Sequence, residues 1–383
     1  MKKRIGSLND DILFNVLRRL PTKTLLGLKC VSKGWCHLTS DRSFIQAQLL
    51  NMEPILSGFI FQERFKWCNK DINTISFISL GTEQKVHRMV FSFLPEDVVV
   101  LASCNGLVCC RSCNPTQDPA IYVCNPSNKE WVRFEWTDYD KHASIGLAFD
   151  QPQSPFDISA KYNVVRVKQF HNDYEKLFFT FEIFSSETGE WRKSNEICHC
   201  NNNLIKNKGI YIGGVLHWLT DGDEILTFSV DKELAWLISV PVPAVEFKTV
   251  PEACIGESEG KLHYIMITEE GLQVWYLEDY YESKWTLKHS KSLAVIEEQY
   301  SKFFCNLHKR VTQRLTADMN PWMDPLVFKD GLLLLKVSAK LYFYHIENSK
   351  MQDVCTIAEL APNSIFCPTV LPYSLSLVPL IQS

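Results

Sequence analysis

No stretch of the 383 residues reaches the roughly 18 consecutive apolar positions a membrane-spanning helix needs, so no helical span is expected. The start, Met1-Lys2-Lys3-Arg4-Ile5-Gly6-Ser7, is basic, but no apolar segment follows it. A secretory leader is therefore not expected, and the cytoplasm, the nucleus or both are the expected locations. The motifs of common enzyme chemistries are missing as well: no P-loop, no G-x-S-x-G elbow, no H-E-x-x-H and no kinase set. The 14 cysteines do not supply a metal site by spacing. Cys110 and Cys113 form one C-x-x-C pair within the cluster Cys104, Cys109, Cys110, Cys113 and Cys124, but no second pair follows at finger spacing. Cys198-His199-Cys200 is too tight to be more than half a site. In a chain without a leader these thiols stay reduced, and cysteine then serves as a small hydrophobe in strands. No catalytic residue, metal or cofactor is expected. Asp221, Asp223 and Glu224 surround Gly222 and can be read as a cation site, although a solvated turn is the simpler reading.

What the chain does have is a basic, helical beginning. The formal net charge is −4, yet residues 1–50 carry nine Lys or Arg against three Asp, a surplus of +6 that leaves −10 for the remainder. In the run Asp10 to Pro21 the apolar residues Ile12, Leu13, Val16, Leu17 and Leu20 recur along one face of a helix. Ser7 and Asp10 make a capping pattern, Asp10-Asp11 and Arg18-Arg19 match the two ends of the helix dipole, and Pro21 ends the helix. Thr22 can cap a second helix bearing Leu25, Leu26, Leu28 and Val31. Ser32-Lys33 lead into a third with Trp35 and Leu38, and Asp41 can cap a fourth with Phe44, Ile45 and Leu49-Leu50. Four short helices in fifty residues carry more apolar surface than so small a core consumes, which points to a partner. The charges border an apolar face without interleaved base-reading groups, so a protein partner is favoured over nucleic acid.

Leu8, Asp11, Leu13, Leu17, Leu20-Pro21, Leu25, Leu28, Cys30-Val31-Ser32-Lys33, Trp35, Leu38 and Phe44 together resemble an F-box. The resemblance implies binding to a Skp-family adaptor and, through it, to the cullin of a ubiquitin ligase. It places Leu8, Ile12, Leu13, Val16, Leu17, Leu20, Pro21, Leu25, Leu28 and Val31 on the adaptor side, with Trp35 either an anchor there or part of the module's own core. One departure is Leu8-Asn9, where the family usually has Leu-Pro. The missing proline removes a preset turn at helix entry, so weaker preorganisation with retained binding is expected.

From about residue 55 the pattern changes to short alternating apolar runs separated by Gly, Asn-Pro or Ser-rich turns. A repeat emerges: a Gly entering a strand, at Gly106, Gly214, Gly260 and Gly331, and 20 to 25 residues later an aromatic or its equivalent, at Trp131, Trp236, Trp285 and Met351. Counting Trp191, successive Trp residues lie 60, 45 and 49 apart, the scale of one four-stranded propeller blade. His217 and His263 fall at equivalent repeat positions, which points to packing. Residues 55–100, with Phe59-Ile60-Phe61, Phe77-Ile78 and Val98-Val99-Val100, can supply a degenerate first unit. Cys104-Asn105-Gly106-Leu107, Cys124-Asn125-Pro126, Gly146-Leu147-Ala148-Phe149-Asp150, Tyr162-Asn163-Val164-Val165, Trp191-Arg192, Leu216-His217-Trp218 and Leu277-Glu278-Asp279-Tyr280 with Trp285-Thr286-Leu287 resemble, in order, the plant F-box-associated, kelch-like domain. The expected fold is α+β and multidomain: an F-box over residues 1–50, then a mostly-β domain over 55–380, a β-propeller of about six blades.

Between Trp285 and Pro325 one unit is stretched and carries Phe303-Phe304, His308, Lys309, Arg310 and Arg314. Long connections on rigid scaffolds often carry recognition, so Phe304, His308, Lys309, Arg310 and Arg314 are candidates for target binding, against the plainer reading of a mobile surface loop. The expected function is that of a substrate-recognition subunit of a Skp–cullin–F-box ubiquitin ligase. The target protein is not named by the sequence, and neither nucleic acid nor membrane is an expected partner. An adaptor-bound scaffold without a ubiquitin role, and a ligand-binding or catalytic propeller, are the alternatives.

Overall fold

The computed structural model describes residues 10–62, 75–81, 86–88, 90–113, 119–136, 143–151, 160–172, 174, 176–205, 209–313, 321–360 and 368–380. Helices α1 (Asp10–Leu17), α2 (Thr22–Leu28), α3 (Lys33–Ser40) and α4 (Arg42–Leu49) open the chain. A first set of strands follows, β1 (Leu56–Gln62), β2 (Ile75–Ser79) and β3 (Val86–Arg88). Three antiparallel four-stranded meanders come next: β4 (Val98–Cys104), β5 (Leu107–Ser112), β6 (Ala120–Asn125), β7 (Glu130–Glu135); β8 (Ser144–Phe149), β9 (Tyr162–His171), β10 (Leu177–Ser185), β11 (Glu190–His199); and β12 (Ile210–Ile212), β13 (Val215–Leu219), β14 (Glu224–Ser229), β15 (Leu234–Ser239). An eight-stranded sheet joins two further meanders, β16 (Glu252–Ser258) to β19 (Lys284–Lys291) through β17 (Lys261–Thr268) and β18 (Gly271–Asp279), and β20 (Met323–Lys329) to β23 (Lys350–Thr356) through β21 (Leu332–Val337) and β22 (Lys340–His345). Helices α5 (Leu293–Gln299) and α6 (Leu307–Thr312) lie between them; α7 (Ile357–Leu360) and β24 (Thr369–Ser374) finish the order.

The first strands of successive meanders touch in a closed cycle. β4 meets β8, β8 meets β12, β12 meets β16, β16 meets β20, β20 meets β24, and β24 meets β4. The expected first unit is therefore corrected: Val98-Val99-Val100 begin the second sheet, and the first is completed from the far end of the chain, where β24 pairs antiparallel with β1 from Leu56↔Ser374 to Gln62↔Thr369. Between β16 and β20 the approach is close enough for parallel pairing, Gly256↔Phe328 and Glu257↔Lys329. Gly256 is required there, since a Cβ would sit 2.2 Å from the Phe328 carbonyl oxygen. Lys329 and Glu257 add an ion pair across the same seam.

The repeat residues do what their spacing suggests. Asn105 and Gly106 turn the β4–β5 hairpin with φ of 46° and 91°, the left-handed pair of a tight hairpin turn. Trp191 on β11 donates its indole N–H to the Glu135 carbonyl, and Trp285 on β19 donates to the Ser239 carbonyl at 2.8 Å. Each thereby fastens the outermost strand of one sheet to that of the sheet before it. Trp191 also packs on Phe134 and Phe184, whose rings stack at 3.8 Å, and on the buried Arg166. Arg166 is neutralised by Glu182, which takes Lys168 as well at 3.1 Å.

After β24 the chain runs back over the second sheet. Asn125, wholly buried, donates to the carbonyls of Ser376 and Val378 at 3.1 and 2.8 Å; Asn128 donates to Val378; and Glu130 accepts from the Leu380 N–H. Leu377, Val378 and Leu380 join one continuous buried cluster with Leu17, Leu25, Phe44, Ile45 and Leu49 of the helical head and with Leu107, Ile145 and Tyr162 of the sheets. Head, tail and the hairpins at Gly106, Gly214, Gly260 and Gly331 share one end of the ring. The Gly106 position abuts Ser376, Asn105 donates to the Phe149 carbonyl, and Asp330 donates from its N–H to the Glu257 carbonyl. Apart from the β8–β9 connection, the long links, including that carrying α5 and α6, leave from the opposite end.

Replacing Asn125 by Ala removes its donor from the Ser376 carbonyl and leaves the Val378 carbonyl with Asn128 alone. The expected cost is on the order of 2–3 kcal/mol, read as a lower midpoint in urea, and limited proteolysis should then cut the 375–383 tail before any other segment.

Candidate partner-binding surfaces

The helical head is built on two caps that the sequence places in advance and one that it misplaces. Ser32 Oγ accepts from the Trp35 N–H, and Asp41 Oδ1 accepts from the N–H groups of Ser43 and Phe44 at 2.9 and 3.3 Å. The Ser43 hydroxyl bonds the same carboxylate and, with those backbone donors, lowers the Asp41 pKa. Pro21, not Thr22, occupies the cap position of α2, and the Thr22 hydroxyl instead accepts from Gln48 Nε2 across to α4. α1 ends at Leu17, earlier than the pattern through Leu20 suggests. The Leu20 N–H turns back to the Leu17 carbonyl, as a residue before proline does when it leaves the helical region. Ser7, Leu8 and Asn9 lie outside the described residues.

Of the residues expected to face an adaptor, Leu17 and Leu25 are buried, 4% and 0% exposed, and pack with Phe44, Ile45 and Leu49. That is a correction: they form the core of the head, because α1 and α2 must cover α4 before they can cover anything else. Phe14 meets Phe44 edge to face at 5.4 Å. Leu13, Leu20, Leu28 and Trp35 are half-buried against the same core. Of the same expected set, Ile12, Val16 and Val31 are left open, at 52, 55 and 65% exposure, and Pro21 is exposed as well. Ile12 and Val16 are four apart, so they share the face of α1 turned away from Leu13 and Leu17.

The stretched unit is an ordered helical hairpin lodged between the two halves of the eight-stranded sheet. Leu293, Ile296, Phe304 and Leu307 are buried among Val274, Tyr342 and Tyr344. Glu297 closes the hairpin by accepting from the N–H groups of Asn306 and Leu307 at 2.7 and 2.8 Å, and the Tyr300 hydroxyl donates to the Ser349 carbonyl while accepting from the Met351 N–H. Phe304 is thus a core residue and not a target contact, a second correction. Arg310 lies 4.1 Å over the Trp322 ring and donates to the Cys305 carbonyl. His308 and Lys309 are exposed, and Arg314 lies outside the described residues.

Groups with reactive side chains elsewhere are absorbed by packing. His217 is fully buried, its Nε2 3.2 Å from the Tyr280 hydroxyl, and desolvation lowers its pKa to about 4. His263 bonds the Lys261 carbonyl through Nδ1 and is lowered by burial too. Cys104, Cys109, Cys110 and Cys124 are buried on β4, β5 and β6; burial raises the Cys104 thiol to about 12 and also raises Cys109 and Cys110. Asp221 accepts from Asn203, Asp223 from the Ala244 N–H, and Glu224 from Asn202, so each carboxylate pins a turn. Among the described residues no group of His, Cys, Asp or Glu is arranged to hold a metal.

A four-helix head with a filled apolar core and with Ile12, Val16 and Val31 exposed, followed by a ring of antiparallel meanders, defines an F-box protein with a β-propeller. Family comparison agrees: residues 5–46 match the F-box domain, and residues 81–357 match the β-propeller of the family described as "F-box protein At3g26010-like". The chain belongs to that family. It is similar to three Arabidopsis thaliana proteins: F-box protein At5g49610, 28% identical and covering 75% of this chain and 80% of that one; F-box protein At5g07610, 26% identical, covering 74% and 70%; and putative F-box protein At4g10190, 25% identical, covering 86% and 88%.

The lowered pKa of His217 ties stability to pH. The unfolded chain protonates this group near 6.5 and the folded chain near 4, so between those values the unfolded state binds the extra proton. Stability should fall as pH drops from about 6.5 toward about 4 and the contribution should level off below; His217→Gln should flatten that limb in melts across the range.

Proposed function

We propose that this chain is a substrate-recognition subunit of a Skp–cullin–F-box ubiquitin ligase. Residues 1–50 would dock the Skp-type adaptor, and the β domain over 55–380 would hold a target protein for ubiquitination. The observation that carries this reading is the exposed set Ile12, Val16, Val31 and Pro21 on a head whose own core is already filled by Leu17, Leu25, Phe44 and Leu49. An amphipathic surface left open on packed helices is what a helical partner covers. The surplus of +6 in the head suits an acidic rim on that partner.

The cyclic contacts of β24, β4, β8, β12, β16 and β20 support a propeller of six blades, with the eight-stranded sheet counted as two, and the Trp191 and Trp285 fastenings support its kelch-like character. The long connections at the end away from the head are where a target would sit. Bound there, a target gains proximity to the ubiquitin-charged enzyme, and the subunit contributes effective concentration, not bond chemistry. This work belongs to the cytoplasm or nucleus.

Val16→Asp combined with Val31→Asp tests the reading. Both side chains are exposed, so the melting temperature should hold, while adaptor association in co-purification should weaken by on the order of 2–4 kcal/mol. Association unchanged in that variant sinks the adaptor assignment. Leu17→Asp is the contrasting case: a charge in the filled core should unfold the head, and lost binding there says nothing about the interface.

A further inference from the structure

We infer that the outer surface of the α5–α6 hairpin, carrying Lys302, Phe303, His308 and Lys309, docks an acidic peptide segment of the target protein. This rests on the proposed receptor role and names the chemistry of what is received.

The first support is charge. Residues 51–383 carry a net −10, yet residues 299–317 contain Lys302, Lys309, Arg310 and Arg314 and no Asp or Glu at all. Glu297, just before that stretch, spends both carboxylate oxygens on the N–H groups of Asn306 and Leu307 and is fixed inside the hairpin, leaving Glu298 as the acid on the exposed flank of α5. Lys302, His308 and Lys309 are exposed. A basic island on an acidic body attracts carboxylate-rich segments and repels most of its own kind of surface.

The second support is an apolar anchor among those charges. Phe303 is 48% exposed, while its ring rests at 5.9 Å from the buried Tyr342 and 6.3 Å from Phe304. One side of the ring is thus held by the core and the rest is open, as an anchor for a partner's aromatic or aliphatic side chain requires. The platform is stiff. Tyr300 bolts α5 to the β22–β23 turn, and Arg310 is held between the Trp322 ring and the Cys305 carbonyl. A single exposed ring with scattered lysines lacks the row of stacking platforms that single-stranded nucleic acid uses, so a peptide is the occupant.

The test uses the full-length chain and three fluorescent probes: a twelve-residue peptide of Glu with interspersed Phe, the same peptide with Gln for every Glu, and a single-stranded twelve-nucleotide DNA. Expected are saturable binding of the Glu peptide at least tenfold tighter than the Gln peptide, weakening as salt is raised, and a loss of tenfold or more in Lys302→Glu combined with Lys309→Glu at unchanged melting temperature. Phe303→Ser should weaken the Glu peptide without changing its salt dependence. Equal binding of the Glu and Gln peptides, no saturable binding of the Glu peptide, affinity untouched by the double variant, or tighter binding of the DNA each overturns the proposal. Adaptor co-purification is measured on the same variants. A wild-type chain that co-purifies with adaptor but does not bind the Glu peptide refutes this surface and leaves the receptor reading standing; a wild-type chain that binds the peptide but not the adaptor does the reverse.

Discussion

Pairing of the last strand, β24, with the first, β1, is the constraint on which the rest of the molecule leans. A row of antiparallel meanders left open would expose an unpaired first strand at one end and an uncovered sheet face at the other, both prone to association. Closing the row removes both hazards but requires bringing together segments separated by more than 300 residues, Gln62 and Thr369 among them. The loop-closure entropy is modest per residue yet comes before any of the contacts that repay it. The tail therefore does more than supply a strand. Its hydrogen bonds to Asn125, Asn128 and Glu130, and the burial of Leu377, Val378 and Leu380, secure the closed ring against reopening.

Closure from the C-terminus also decides where the two ends of the molecule fall. Because β1 and β24 lie side by side and antiparallel, the segment that precedes β1 and the segment that follows β24 emerge together. The helical head and the tail must meet, and they share a buried cluster. The same polarity sends the Gly106, Gly214, Gly260 and Gly331 hairpins to the head's end and most long connections to the other. The exposed side chains of the head and most of the long connections therefore lie at opposite ends of the ring.

Local signals in this chain were legible and nonlocal ones were not. Ser32 and Asp41 are caps because their side chains reach N–H groups two or three residues on, a relation written in the sequence itself. Asn105-Gly106 and the recurring Trp residues are equally local, and their spacing carried the blade pattern. Thr22 failed as a cap because Pro21 already sets the helix entry and Gln48, 26 residues away, claims the hydroxyl. Leu17 and Leu25 could not be told from their exposed neighbours by periodicity, since only the placement of α4 decides which flank of a short helix is covered. Phe304 looked like half of an exposed aromatic pair; the gap between the fifth and sixth meanders, invisible in the sequence, swallows it and leaves Phe303 out. The pairing of β24 had no signature at all beyond an apolar strand near the end of the chain.

The fate of the titratable groups bears on how such a molecule can be selective. Arg166 and Glu182 neutralise each other under Trp136 and Trp191, His217 is dehydrated against Tyr280, burial raises the thiols of Cys104, Cys109 and Cys110, Asp221, Asp223, Glu269 and Glu297 each pin a connection by accepting from backbone N–H groups, and Glu224 accepts from the Asn202 side chain. Groups spent on the scaffold are not available to a partner, and a carboxylate that caps a turn presents less free charge than its sequence suggests. The effective surface is thus shaped by subtraction. Where acids are absent, as along 299–313, or consumed, like Glu297, and bases are left, a chain that is acidic in total presents a basic face, and Phe303 gives that face an apolar point of register. Recognition then depends less on how many charged residues the sequence holds than on which of them the fold leaves unspent.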